Sequence, residues 1–138
     1  ANAPQLQTPT DLFDHRCLLL RFPGSQQFRW TLMSDGAPVT LPVQGDIDAD
    51  DGDVLTAWAL SGLGVVMKPT FEIADHLASG RLVPVLPNHP PETATLAVMY
   101  PSRQLTPPRV KYFADLLIER ARAHVKSELN KIGASALA

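Results

Sequence analysis

The chain has 138 residues, a formal net charge of −2, and 45% hydrophobic against 19% charged residues. This length fits one domain or a piece of one, because single domains run to roughly 100–200 residues. The composition excludes a disordered, collagen-like or coiled-coil chain, and no apolar stretch approaches the ~20 residues of a membrane span.

No basic segment followed by an apolar one opens the chain, so no signal peptide is expected. The first residue is Ala1 rather than Met, which leaves room for an upstream segment. Thirteen prolines, about twice the usual share, punctuate the chain near residues 4–9, 38–42, 84–91 and 101–108.

Thr8 to Leu12 reads as a linker ending in a short turn. Arg16 to Phe22 is a short apolar run closed by Pro23-Gly24, which predicts a buried strand. Its Cys17 is the chain's one cysteine, so it forms no internal disulfide or thiolate metal site. A buried structural thiol is expected there. Phe28 to Leu32, the turn Ser34-Asp35-Gly36 and the run Pro38 to Val43 predict a small hairpin. Gln44 to Asp48 is a further extended stretch. Asp51 to Ser61 is predicted to be a helix, capped by Asp50, with Asp51 and Asp53 opposing the dipole. Its apolar residues run nearly all round, which predicts burial on more than one side. Gly62 suits a left-handed helix end. Val65 to Met67 is a short strand stopped by Pro69, and Phe71 to Ser79 a second helix ending at Gly80. Leu82 to Leu86 is extended, with Pro84 placing it at an edge or making it irregular. Thr95 to Tyr100 is expected to be another strand. Pro107-Pro108 opens a long helix with Val110, Phe113, Leu117, Ala121 and Val125 in one stripe. The chain from Lys131 onward is expected to fray.

Strands alternating with helices indicate an α/β fold with a largely parallel sheet. Ligands in such sheets bind beyond the carboxyl ends of the strands. Those ends are Phe22–Phe28, Asp48–Asp51 and Met67–Thr70.

Several motifs fail on spacing. The acidic run from Asp46 lacks a glycine at loop position 6 and a glutamate at position 12, as a calcium loop requires. Gly62-Leu63-Gly64 follows a helix and precedes a strand, the reverse of a dinucleotide fingerprint, so a helix cap and close packing are expected. The histidines His15, His76, His89 and His124 stand singly without zinc-like spacing. No nucleophile elbow is present. Trp30 and Trp58 sit in apolar-patterned elements and read as packing anchors. Residues 103–138 hold seven bases and three acids, on a helix whose polar face reads as solvated rather than as a nucleic-acid footprint. No catalytic residue, metal ligand or cofactor site emerges.

The residues in combination resemble the effector-binding domain of LysR-type transcriptional regulators. The carriers are Pro9-Thr10-Asp11-Leu12 with His15 and Cys17-Leu18, then Trp30 ahead of Gly36. Next come Asp50-Asp51 running into Ala57-Trp58-Ala59-Leu60-Ser61-Gly62-Leu63-Gly64-Val65, and Pro69. The segment from Leu77 to Leu86 follows, then Tyr100-Pro101-Ser102-Arg103, Pro108-Arg109-Val110 and Phe113. The resemblance covers about residues 9–120.

It implies a periplasmic-binding-protein-like (type 2) subdomain with a mixed, mostly parallel sheet, flanking helices and a long C-terminal helix. Residues 1–12 would be a crossover from a missing first subdomain, 13–104 the second regulatory subdomain, 105–130 the returning helix and 131–138 a tail. A small-molecule effector would sit in the cleft between subdomains. Its implied contacts are Ser25, Gln26, Gln27, Phe28, Asp50 and Met67. Ser25 and nearby N–H groups suit an acidic effector and Phe28 an apolar wall, although such residues also serve as ordinary loop and capping residues. DNA contact would run through a winged helix-turn-helix domain absent from this sequence. The implied protein is a cytoplasmic homo-oligomer, not an enzyme, with no cofactor and no membrane partner. A periplasmic solute-binding protein is the first rival and a small α/β enzyme the second.

Overall fold

The centre of the fold is β1 (Cys17–Leu20), a four-residue strand with neighbours on both edges. The computed structural model describes residues 6–22, 28–93, 95–99 and 107–136. One neighbour is β4 (Asp48–Ala49), parallel, with Leu19 opposite Asp48 and Leu20 opposite Ala49. The other is β5 (Val65–Val66), also parallel, with Cys17 opposite Val65 and Leu18 opposite Val66. The sheet order is β4-β1-β5. All three carboxyl ends therefore leave the sheet at the same edge.

Between β1 and β4 the chain forms an antiparallel hairpin of β2 (Arg29–Ser34) and β3 (Ala37–Pro42). Asp35 and Gly36 both hold positive φ, at 52° and 79°, as the two-residue hairpin turn requires. The Thr31 and Thr40 hydroxyls hydrogen-bond across the strands at 3.0 Å. Alternation along the strands turns Trp30, Leu32 and Leu41 inward. They meet Leu6, Leu12, Cys17, Leu19, Val43 and Leu86 in one apolar cluster.

The opposite face of β1 carries Leu18, and α1 (Gly52–Leu60) packs there with Leu55 fully buried. The expectation of a helix buried on several sides is corrected. Leu55 is its one fully buried residue, while Val54 and Leu60 stay exposed on the outer side. Its N-cap is Asp51 rather than Asp50: the Asp51 carboxylate accepts from the Asp53 amide at 2.7 Å. At the other end Gly62, at φ 77°, donates to Ala59 O at 2.9 Å, and Leu63 donates to Trp58 O at 3.1 Å. This pair of bonds closes the helix in a Schellman motif.

α2 is shorter than predicted, Ala74–Ala78. Tight turns, Glu72 to Pro69 O and Ile73 to Thr70 O, occupy the start of the expected helix. Residues 82–86 form no strand, as Pro84 allows, and Leu86 is buried with φ 54°. The strand expected at 95–100 is also corrected. Residues 95–99 are exposed and outside any ladder, and Tyr100 lies outside the described residues. The segment that does add to the hairpin is earlier: Met33 donates to Pro90 O at 2.8 Å and Glu92 to Thr31 O at 3.2 Å.

α3 (Pro108–Ala136) spans 29 residues and packs on α2. It runs past Lys131, where fraying was expected, because the Lys131 ammonium bonds Glu128 at 2.7 Å and Asp75 at 2.9 Å. Lys131 lowers the Asp75 pKa, chiefly through that hydrogen bond, and its own is raised, first by Glu128. The predicted stripe is only partly buried. Val110, Phe113 and Leu117 face outward, while Ala114, Ile118, Ala121 and Val125 form the less exposed row. No helix among the described residues is long and apolar enough to cross a membrane.

Three outcomes follow from the packing. A methyl group at Gly64 would stand 2.4 Å from Arg16 O, so Gly64→Ala costs roughly 1–3 kcal/mol by urea unfolding. The same change at Gly133, which has open space around it, is neutral or stabilising. Cys17 is fully buried and burial pushes its thiol up to about 11. Iodoacetamide at pH 8 therefore labels it only in step with unfolding.

Candidate functional site

Three chain segments emerge together at the carboxyl edge of the sheet. Arg21 and Phe22 follow β1, Asp50 to Gly52 follow β4, and Met67 to Thr70 follow β5. Arg21 is fixed twice: its amide donates to Ala49 O at 2.7 Å, and its guanidinium pairs with the Asp48 carboxylate. Beside it Phe22 is 63% exposed. Asp51 is committed to capping α1, and Asp50 is exposed next to it.

Lys68 is the residue that sequence reasoning missed. Its side chain is only 6% exposed, and its ammonium pairs with the Glu72 carboxylate four residues on. It reaches from the end of β5 to the start of α1: a methyl group at Gly52 would stand 2.7 Å from Nζ. The signal available in the sequence was its place in the strand-end segment Met67–Thr70. A lone lysine beside a proline gave no hint that its charge is buried.

The sequence-predicted contacts fare unequally. Ser25, Gln26 and Gln27 lie outside the described residues. Phe28 is half-buried and packs on the apolar cluster with Val65 and Val85, so its ring serves that core. Asp50 and Met67 are both exposed at the carboxyl edge, on the segments after β4 and β5.

An opening lies at the amino edge of the same strands. It measures about 340 Å³ and is lined by Phe13, Asp14, His15, Arg16, Gln44, Gly45 and Asp46. His15 Nδ1 donates to Asp11 O at 2.9 Å, and Arg16 stands 3.7 Å from Asp46. Asp11 itself is held down to about 2 by its Thr8 and Gln7 hydrogen bonds. Among the described residues the polar atoms that Cys17 Sγ approaches are the backbone oxygens of Leu12 and His15. What both edges offer is hydrogen bonding and charge pairing. Among the described residues no cluster of three His, Cys, Asp or Glu is placed to hold a metal ion.

Comparison with known proteins adds the family. Residues 1–122 match the model of the LysR substrate binding domain. The chain is 27% identical over 115 residues to the HTH-type transcriptional regulator DmlR of Escherichia coli, covering 83% of this chain and 37% of that protein. The regulatory domain of CrgA from Neisseria meningitidis superposes with a TM-score of 0.58 at 26% identity, over 84% of this chain and 56% of that one. The regulatory domain of AphB from Vibrio vulnificus gives 0.57 at 28% identity, over 66% and 45%. The chain thus spans under two-fifths of the length of DmlR.

Proposed function

The chain belongs to the family of LysR substrate-binding domains, and from that premise we propose that it is the effector-sensing part of a transcriptional regulator. The match over residues 1–122 carries this reading. The shared carboxyl edge of β1, β4 and β5 supports it, since that edge is where open α/β sheets bind ligands. A small molecule would enter there, against Asp50 and Met67, with Ser25, Gln26 and Gln27 as the further contacts the family resemblance implies. An effector that binds one arrangement of the regulator better than another shifts its population and so its DNA contacts. The regulator would be a homo-oligomer working in the cytoplasm, where the DNA is. DNA contact is assigned to a helix-turn-helix domain outside this sequence.

Relatives that are transcriptional regulators favour this reading over a solute-binding protein or an enzyme. In the regulator, residues 13–104 would form the second regulatory subdomain, with residues 1–12 as the crossover. Residues 105–130 would return to pack on the first subdomain. The outward face of α3 supports that division, with Phe113 at 63% and Leu117 at 42% exposure.

A thermal-shift screen of small molecules checks the sensing role. A true effector at 100 times its Kd stabilises the chain by about 2.7 kcal/mol, and Ser25→Ala/Gln27→Ala reduces that shift. An unchanged shift in the double variant removes those two contacts. Sedimentation velocity checks the division: isolated chains associate as concentration rises, and Phe113→Ser/Leu117→Ser suppresses it. A stable monomer at all concentrations counts against an uncovered α3 face.

A further inference from the structure

We infer that the opening at the amino edge of the sheet is a separate ligand site, one whose chemistry fits a zwitterionic α-amino acid with an apolar side chain. It shares no residue with the carboxyl edge, so it goes beyond the effector-sensing reading and does not depend on it. Its volume of about 340 Å³ is in the range of small-molecule sites. The lining divides by charge. Arg16 supplies the donors, since a guanidinium carries five N–H groups in a fork that matches a carboxylate. Its ion-pair partner among the described residues is Asp46, at 3.7 Å, longer than a hydrogen bond. The Asp46 side chain is 85% exposed, so it can swing aside for a ligand carboxylate. Asp14 supplies the opposite charge, and it forms no ion pair among the described residues. His15 adds an acceptor. Its Nδ1 lies 2.9 Å from Asp11 O; a carbonyl only accepts, so Nδ1 holds the proton and Nε2 of the neutral ring accepts. Phe13, more than half exposed, gives an apolar wall. A simple anion would meet two carboxylates here, and a simple amine would meet Arg16. An α-amino acid offers each charge its opposite: carboxylate to Arg16, ammonium to Asp14 and His15, side chain to Phe13. The frame is fixed by β1. Val65 donates to Arg16 O at 2.9 Å, and Gly45 runs so close that a methyl group there would stand 2.0 Å from Cys17 O. Both backbone walls are thus in place before a ligand arrives.

The test is an NMR titration of the ¹⁵N-labelled 138-residue chain with four probes at equal ionic strength: L-phenylalanine, hydrocinnamate, which lacks the ammonium, phenethylammonium, which lacks the carboxylate, and free glycine, which lacks the ring. Phenylalanine should give saturable shifts at the His15, Arg16 and Gly45 amides, and each of the other probes should bind there more weakly. Arg16→Gln should weaken phenylalanine about tenfold, the loss of one charge-assisted contact, and leave phenethylammonium no weaker. Asp14→Asn should weaken phenylalanine and leave hydrocinnamate no weaker. The same spectra report whether each variant is folded, and a general loss of fold would weaken all probes alike. If hydrocinnamate or phenethylammonium binds as tightly as phenylalanine, the zwitterion class is overturned. If either variant leaves the phenylalanine Kd unchanged, the role given to that residue is overturned. If phenylalanine shifts only the carboxyl edge, or no probe gives saturable shifts at the amino edge, the site itself falls, and the effector-sensing reading is untouched.

Discussion

The fold depends on how closely two chain segments approach the backbone of β1. A side chain at Gly45 would bring its Cβ within 2.0 Å of Cys17 O, and one at Gly64 within 2.4 Å of Arg16 O. Two glycines, one on the way into β4 and one just before β5, therefore let the flanking segments close on a strand already buried on both faces. Once β1 is held this way, its alternation assigns Cys17 and Leu19 to the hairpin side and Leu18 to the α1 side. Register then sets where β4 and β5 end, and those ends make the candidate site.

The site's electrostatics follow from the direction of α1. The helix leaves β4 at Asp51, packs across β1 and stops at Gly62, so its positive end lies at the carboxyl edge. Asp51 answers part of that charge through the Asp53 amide. Lys68, coming from the far strand of the sheet, brings a second positive group to the same point. Two ion pairs, Arg21–Asp48 and Lys68–Glu72, thus flank the edge, one on each outer strand. They differ in burial, with the Lys68 side chain at 6% exposure and Arg21 at 58%. Only the Lys68–Glu72 pair sits where water screens it weakly.

α3 illustrates a different constraint. A 29-residue helix has several rows of side chains three and four apart, and more than one can be apolar. The stripe through Val110, Phe113 and Leu117 is the more hydrophobic row. The row through Ala114, Ile118 and Ala121 is the less exposed one. Small residues on that row permit close approach, and the Lys131 contact with Asp75 ties the helix to α2. The larger row is left outward, continuous with the reading that it meets another part of a longer regulator.

Much of this was determined by the sequence alone. The β1 strand, the hairpin, α1 with its Gly62 stop and the long final helix are local events, set by periodicity, turn chemistry and caps within a few residues. The family was legible for the same reason, since its carriers are contiguous segments such as Ala57 to Val65. Residues 95–99 carried a strand pattern without becoming one, because a strand is completed by a neighbour's edge and not by its own residues. The N-cap moved from Asp50 to Asp51 because either aspartate satisfies the cap rule, and only the angle at which β4 enters the helix chooses between them. Lys68 was invisible for a still less local reason. Its burial and its place against Gly52 arise from two segments brought together across β1, and the free energy of a charge depends on what surrounds it in space rather than in sequence.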